Sequence, residues 1–281
     1  MSRAVSINNQ FAHAGLAVYF DEAVREPAHA ARVAKLLLDE RWPWLPWYLS
    51  YSGIDREYDR GSKRVNAKTG VQGLAEGILN PQHNRVVARR AAGDKNFTEV
   101  QLDTGRIGEG PFRLQMTCRV AELPEGKSTA AWLELVRDMV RELSPANGIL
   151  GVWPAFDAAI SDVVKMRMLL DTRWGVFELG VLPDVADPTR SFDIGRTYAR
   201  YPRWGTYLSD AHLAAIGGVE RIQAEVAPAT IERIGTVTYI QLTDTIETAM
   251  SLECGERRQR LQAIMAPVLA PRSSPTRPAA P

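Results

Sequence analysis

The sequence predicts an α+β protein in which helices pack on one mixed β-sheet. Residues 112–120 alternate apolar and polar side chains, the period of a strand with one buried and one solvated face. After Ser128, a typical helix cap, residues 132–143 carry apolar side chains at the spacing of an amphipathic helix. The apolar run 149–153 then resumes as a strand. We therefore expect a single compact unit that contains a parallel strand–helix–strand crossover.

The first half of the chain supplies the elements that precede this crossover. Residues 15–20 form a short apolar run that is typical of a buried strand. A helix begins at Glu26-Pro27, because proline is tolerated in the first helical turn. It ends before Trp42-Pro43, because the residue preceding a proline is disfavoured in the helical conformation. The other expected elements are a charged loop over 51–68, a helix over 69–79 and a strand over 98–102.

The second half alternates short helices and strands. Ser209 caps a short helix over 210–216, and Gly217-Gly218 closes it at a position that glycine fills without steric cost. Residues 237–242 are rich in β-branched and aromatic side chains, which predicts one of the three strands around which the sheet is built, together with 112–120 and 149–153. The other expected elements are helices over 156–170 and 219–226, a strand over 174–182, and a final helix with Leu261, Ile264, Met265, Val268 and Leu269 on one face.

Composition indicates one domain, 1–270, followed by a tail. Hydrophobic residues make up 45% of the chain and charged residues 24%, which are ordinary globular values. Residues 271–281 are rich in proline and serine and cannot build a core, so we expect a disordered tail. The N-terminus offers no apolar signal segment, and no apolar run approaches the roughly 20 residues that cross a bilayer. We therefore expect a cytoplasmic protein with no membrane partner.

Charge and residue spacing predict no cofactor, no metal and no direct nucleic-acid partner. The chain has 34 Lys+Arg and 33 Asp+Glu, a net charge of +1, so no overall basic field would attract nucleic acid. The four histidines are scattered, without the spacing or neighbouring cysteines of a metal site. Cys118 and Cys254 are too few for a disulfide framework and are expected to be buried or idle thiols.

One weak pattern is of the kind found in an enzyme. Asp103, followed by Glu125-Gly126-Lys127, resembles the Asp…Glu-x-Lys set of metal-dependent nucleases, in which two carboxylates hold a divalent ion and the lysine orients water. In those enzymes the Glu-x-Lys lies on a strand, which places both side chains on one face. Here Pro124 and Gly126 flank the glutamate, a composition that favours a solvated loop. A nuclease using Asp103, Glu125 and Lys127 is kept as an alternative function.

A run of aromatic residues held by two prolines is the best candidate for a binding surface. Trp and Tyr supply a large contact area for little loss of entropy, so they dominate binding hot spots. The alternative is that these rings fill the core under a long loop. Acidic residues follow directly and suit a basic cleft, although Arg56 and Arg60 interleave with them. The candidate partner-binding residues are Trp42, Trp44, Trp47, Tyr48, Asp55, Glu57 and Asp59.

Several segments together resemble a known bacterial family. They are Gly15-Leu16-Ala17-Val18-Tyr19-Phe20, Tyr201-Pro202-Arg203-Trp204-Gly205-Thr206-Tyr207-Leu208, Ile216-Gly217-Gly218 and Tyr239-Ile240-Gln241-Leu242-Thr243. The similarity runs from about residue 14 to residue 269. The family is that of type VI secretion immunity proteins associated with nuclease effectors of the VRR-Nuc and other restriction-endonuclease-like kinds.

The resemblance implies a cytoplasmic antidote that binds a cognate nuclease toxin and occludes its active site or blocks its assembly. It implies no catalytic residue, and the motif residues would belong to the shared scaffold, with Gly205 in a tight turn beside Trp204. The net charge near zero departs from the acidic character of a nucleic-acid mimic and favours steric blocking. An effector-binding scaffold or chaperone is a further alternative, and a homodimer stays open. The motif residues are Trp204, Gly205, Tyr207, Gln241 and Thr243.

Overall fold

The computed structural model of this chain contains one ten-stranded β-sheet with helices packed against it. It describes residues 12–20, 26–39, 48–53, 63–64, 70–80, 83–89, 99–103, 112–119, 129–154, 198–199, 201–249 and 251–269. The strands are β1 (Ala12–Phe20), β2 (Tyr48–Gly53), β3 (Lys63–Arg64), β4 (His83–Arg89), β5 (Glu99–Asp103), β6 (Phe112–Arg119), β7 (Asn147–Pro154), β8 (Gly205–Ser209), β9 (Thr230–Ile234) and β10 (Val237–Gln241). The helices are α1 (Pro27–Leu37), α2 (Gly70–Leu79), α3 (Thr129–Leu143), α4 (Asp210–Ile216), α5 (Gly218–Val226) and α6 (Leu252–Met265).

The strand order is β3-β2-β4-β5-β6-β1-β7-β8-β10-β9. β6 and β7 both pair antiparallel with β1, so they run parallel to each other on either side of it, and α3 joins them. The parallel crossover is therefore confirmed, as are the α+β class and the single unit. The expectation of a mixed sheet is wrong. The parallel strands β6 and β7 do not pair with each other, because β1 lies between them. Every neighbouring pair among the described strands is antiparallel.

Residue alternation in the strands assigns the helices to two faces of the sheet. Glu232 and Arg233 are consecutive in β9, so their side chains point to opposite faces. Glu232 pairs with Arg137 of α3, and Arg233 pairs with Asp210 at the start of α4. Thus α3 covers one face at this end of the sheet and α4 lies on the other. α1 packs against both α2 and α3, which extends the first helical layer along the sheet.

The caps around α4 follow the sequence prediction. The Ser209 hydroxyl accepts a hydrogen bond from the His212 backbone N–H at 3.4 Å, which satisfies one of the free donors of the first turn. Gly217 ends the helix with φ of +93°, in the left-handed region where a side chain is strained. Local chemistry therefore decides both ends of α4.

Several strands differ from the sequence prediction. The expected loop over 51–68 is wrong at residues 51–53, where β2 continues, and at residues 63–64, which form β3; its other residues lie outside the described part of the chain. β4, β8 and β9 were not predicted. β8 is buried along nearly its whole length and shows no alternation, while β9 has two charged residues at its centre. Neither pattern carries the period-2 signal of a half-buried strand. The elements predicted over 156–170 and 174–182, and the tail over 271–281, lie outside the described residues.

Candidate functional site

Most of the predicted binding residues lie outside the described part of the chain. Trp42, Trp44, Trp47, Asp55, Glu57 and Asp59 belong to this group. Tyr48 begins β2, where its backbone pairs with Arg64 of β3 and Arg89 of β4. The aromatic segment therefore leads directly into a strand one position from the β3 end of the sheet. Its role as a contact surface stays a prediction.

The residues of the nuclease alternative are only partly described. Asp103 ends β5, and the register places it opposite Arg85 of β4 and Arg113 of β6. Glu125 and Lys127 lie outside the described residues. Within the described ranges, no group of three or more His, Cys, Asp or Glu residues is arranged to hold a metal ion. None of the helices described is both long enough and apolar enough to cross a membrane.

Three of the motif residues, Trp204, Gln241 and Thr243, form a buried hydrogen-bond network. Trp204 is 2% exposed, and its Nε1 donates to the Thr243 carbonyl oxygen at 3.1 Å and to Thr243 Oγ1 at 2.9 Å. Gln241 Nε2 donates to the carbonyl oxygens of Thr243 and Asp244, and Tyr239 OH donates to Gln241 Oε1 at 3.1 Å. These contacts connect β8 and β10 to the segment that leaves the sheet. Burial with satisfied donors indicates a scaffold role, as the resemblance implies.

An aromatic stack extends this network toward α3. The rings of Tyr207 and Tyr239 lie 4.8 Å apart between centroids at an angle of 29°. The Arg137 guanidinium carbon lies 5.6 Å from the Tyr239 ring centroid, while Arg137 Nε also pairs with Glu232 at 3.0 Å. Burial raises the pKa of both tyrosines, so both hydroxyls stay protonated at neutral pH.

Gly205 is required by close packing and not by a turn. It begins β8, and a Cβ atom built there would lie 2.7 Å from Tyr239 Cε2 and 3.0 Å from Leu150 Cβ. Its φ lies outside the left-handed region. The expected tight turn is therefore wrong: glycine is needed because the Tyr239 ring crosses directly over its backbone.

The Cys254 thiol is buried, whereas the Asp210 carboxylate is exposed and ion-paired. Cys254 is a buried free cysteine, and burial raises its pKa to about 11. The thiol stays protonated at neutral pH, in agreement with the expected idle thiol.

Asp210 is exposed and paired with Arg233, whose hydrogen bond lowers the pKa of the Asp210 carboxyl. Sequence reasoning missed this pair and the pair of Arg137 with Glu232, because their partners are distant in sequence.

His29 provides a pH-dependent contribution to stability. Its ring meets the Phe20 ring edge-on at 5.4 Å between centroids, and no described residue bonds its buried Nε2. Burial, followed by the charge of Arg32, lowers the pKa of His29 against the opposing effect of Glu26. Below the usual histidine pKa of 6.5, the unfolded chain therefore binds a proton more readily than the folded one. Stability is expected to fall as the pH drops below about 6.5.

We expect the His29→Phe variant to lose less thermal stability than the unchanged protein between pH 7.5 and pH 5.5. Phenylalanine keeps the ring contact with Phe20 but has no group to protonate. The measurement is the melting temperature of both proteins at the two pH values, since all other titrating groups are present in both. Equal decreases in the two proteins would contradict the assignment to His29.

Comparison with known proteins supports the fold and does not define a family. No protein-family model and no curated protein sequence matches this chain. A solved structure with a similar fold is that of the Pseudomonas aeruginosa T6SS protein PA0821, where T6SS denotes the type VI secretion system. The two are 14% identical with a TM-score of 0.61, and the match covers 92% of this chain and 73% of that one. At this level of identity the likeness establishes the α+β fold alone.

Proposed function

We propose that this protein is a cytoplasmic immunity protein of a type VI secretion system that binds and neutralises a cognate nuclease toxin. The observation that carries the proposal is the fold shared with a Pseudomonas aeruginosa T6SS protein over nearly the whole chain. The motif segments that resemble the immunity family add to it, since their residues form the network between β8 and β10.

The proposed mode of inhibition is steric. The net charge is +1, and the ion pairs around β9 neutralise their members locally, so the described surface there has little of the acidic field that would imitate nucleic acid. An inhibitor of this kind occupies the active site or the assembly surface of the toxin with a shaped contact area. Such interfaces usually bury about 800 Å² per partner around a few aromatic or arginine anchors.

The test is survival of cells that co-express this protein with the nuclease toxin encoded beside its gene. We expect the unchanged chain to protect the cells. Trp44→Ala and Trp47→Ala should weaken toxin binding by about 2 kcal/mol or more, roughly a thirtyfold increase in Kd, because aromatic anchors dominate such interfaces. Calorimetry with catalytically inactive toxin measures the Kd, and a thermal melt of each variant reports its fold.

A matched control is Leu252→Ala, which shortens a side chain that is 73% exposed at the start of α6. It should keep both fold and affinity. If the tryptophan variants misfold, their rings belong to the core and the contact surface lies elsewhere. Binding without protection would support the effector-binding scaffold or chaperone instead. Cleavage of DNA or RNA in Mg²⁺ or Mn²⁺, lost on Glu125→Ala or Lys127→Ala, would establish the nuclease alternative.

A further inference from the structure

The outer edge of β9 ends the sheet with open backbone groups. β9 and β10 form a hairpin with a two-residue turn, in which Ile234 faces Val237 as the hydrogen-bonded pair next to the turn. Alternation then directs the N–H and C=O groups of Ile231 and Arg233 away from β10. Hydrogen bonding on the other side of β10 agrees with this alternation. The Leu242 N–H donates to the Trp204 carbonyl oxygen at 2.9 Å, so residues 238, 240 and 242 bond β8 and residues 237, 239 and 241 bond β9.

Sheet pairing leaves these outward groups unbonded among the described strands. No other described strand pairs with β9 beyond β10, so Ile231 and Arg233 have no ladder partner on that side. Arg233 is exposed and Ile231 is half-buried. An edge of this kind is a template for the addition of another strand.

The charged side chains of β9 are held away from the edge. Edge strands usually carry free charges that prevent pairing with another strand. Here Glu232 is bound by Arg137 on one face of the sheet, and Arg233 is bound by Asp210 on the other. Arg233 Nη2 lies 3.0 Å from Asp210 Oδ2, and its Nε donates to the Gly235 carbonyl oxygen at 2.9 Å. Both charged side chains are held on the faces of the sheet by residues of this chain, so neither blocks the edge, and a strand without acidic residues at the facing positions can pair with it.

We propose that the outer edge of β9 receives an extended, uncharged segment of the toxin, which adds to the sheet as a further strand. This inference rests on the proposed function and locates part of its interface. The segment would bond the N–H and C=O groups of Ile231 and Arg233 and place an apolar side chain opposite Ile231.

A second copy of this chain and its own tail fit the edge less well. Antiparallel pairing that uses both Ile231 and Arg233 of each copy would place Glu232 directly opposite the Glu232 of the other copy. Each carboxylate is bound by Arg137 of its own chain, so no further cation would separate the two like charges, and that position is destabilising. The tail over 271–281 contains four prolines, which lack the N–H that a strand requires. The toxin segment is therefore the occupant that the charges and donors favour.

The test is the affinity of edge variants for the catalytically inactive toxin from the adjacent gene. Ile231→Pro removes an outward N–H that β10 does not use, so the fold should persist while the Kd rises at least tenfold. Ile231→Lys should act similarly by adding a free charge to the edge. The matched control is Ala224→Lys, at an exposed position of α5, with an expected Kd within twofold of the unchanged protein. Thermal melts confirm that each variant is folded.

Hydrogen exchange gives a second readout that requires no substitution. The amides of Ile231 and Arg233 should exchange quickly in the free protein and become protected in the complex, whereas the Glu232 amide, bonded to β10, should be protected in both. If the toxin binds but folded edge variants keep the original Kd, the edge proposal is wrong and the proposed function stands. If the unchanged chain does not bind the toxin, both fail. A dimer of the free chain that Ile231→Pro dissolves would show a second copy at the edge and overturn the proposal.

Discussion

Replacing Trp204 with alanine is expected to lower the free energy of unfolding by about 3–5 kcal/mol, the usual cost of removing a fully buried large aromatic side chain. Trp204 is 2% exposed and holds the Thr243 backbone and hydroxyl through its Nε1. A loss of this size is a large part of the stability of an ordinary domain. Urea or thermal unfolding of the two proteins measures it.

The matched variant Trp204→Phe separates packing from hydrogen bonding. It keeps most of the apolar contact but leaves the carbonyl oxygen and hydroxyl of Thr243 without the indole donor. We expect the lost indole bond to cost about 0.5–1.5 kcal/mol, because the Thr243 carbonyl oxygen keeps the bond from Gln241 and the Thr243 hydroxyl keeps the bond from Thr248. If alanine and phenylalanine cost the same, the packing contribution assigned to the indole ring would be wrong.

Replacing Gly205 with alanine is expected to cost about 1–3 kcal/mol through overpacking. The new Cβ would lie 2.7 Å from Tyr239 Cε2, closer than side chains tolerate, and 3.0 Å from Tyr239 OH, tighter than most real contacts. The Tyr239 ring cannot move away easily, since it stacks on Tyr207 and its hydroxyl bonds Gln241. The melting temperature should fall by several degrees.

Gly255 provides the control for this substitution. It lies within α6, and a Cβ atom there would meet no atom within 4 Å. Gly255→Ala should therefore stabilise the protein by up to about 1 kcal/mol, because alanine is the better helix former. Thermal melts of Gly205→Ala and Gly255→Ala compare the same added methyl group at a position without room for it and at a position with room. Destabilisation by both would indicate that the close approach at Gly205 is not the cause.

The local features of the fold could be predicted from neighbouring residues. Ser209 and Gly217 bound α4 as expected because a cap and a left-handed C-cap depend only on adjacent backbone groups. The alternation in 112–120 correctly places Leu114 and Met116 in the core. α3 follows from its helical periodicity for the same reason. Each of these signals lies within one element.

The candidate site was only partly predictable. The motif of Trp204, Gln241 and Thr243 marks residues that matter to the scaffold, but the bond from Trp204 to Thr243 joins positions 39 residues apart. No spacing in the sequence reveals that pairing. The aromatic residues proposed for toxin binding were chosen for their chemistry alone, so their role depends on the binding measurements.

Composition, caps and hydrophobic periods thus established the α+β class, the crossover through α3 and the ends of α4, since these depend on contacts within a turn or a strand. Only the tertiary structure decided the position of β1 between two parallel strands, the need for glycine at residue 205, and the open edge of β9. The physical reason is that strand order and ring packing arise from groups distant along the chain. Their energies depend on register and burial, which appear only when the whole sheet is assembled.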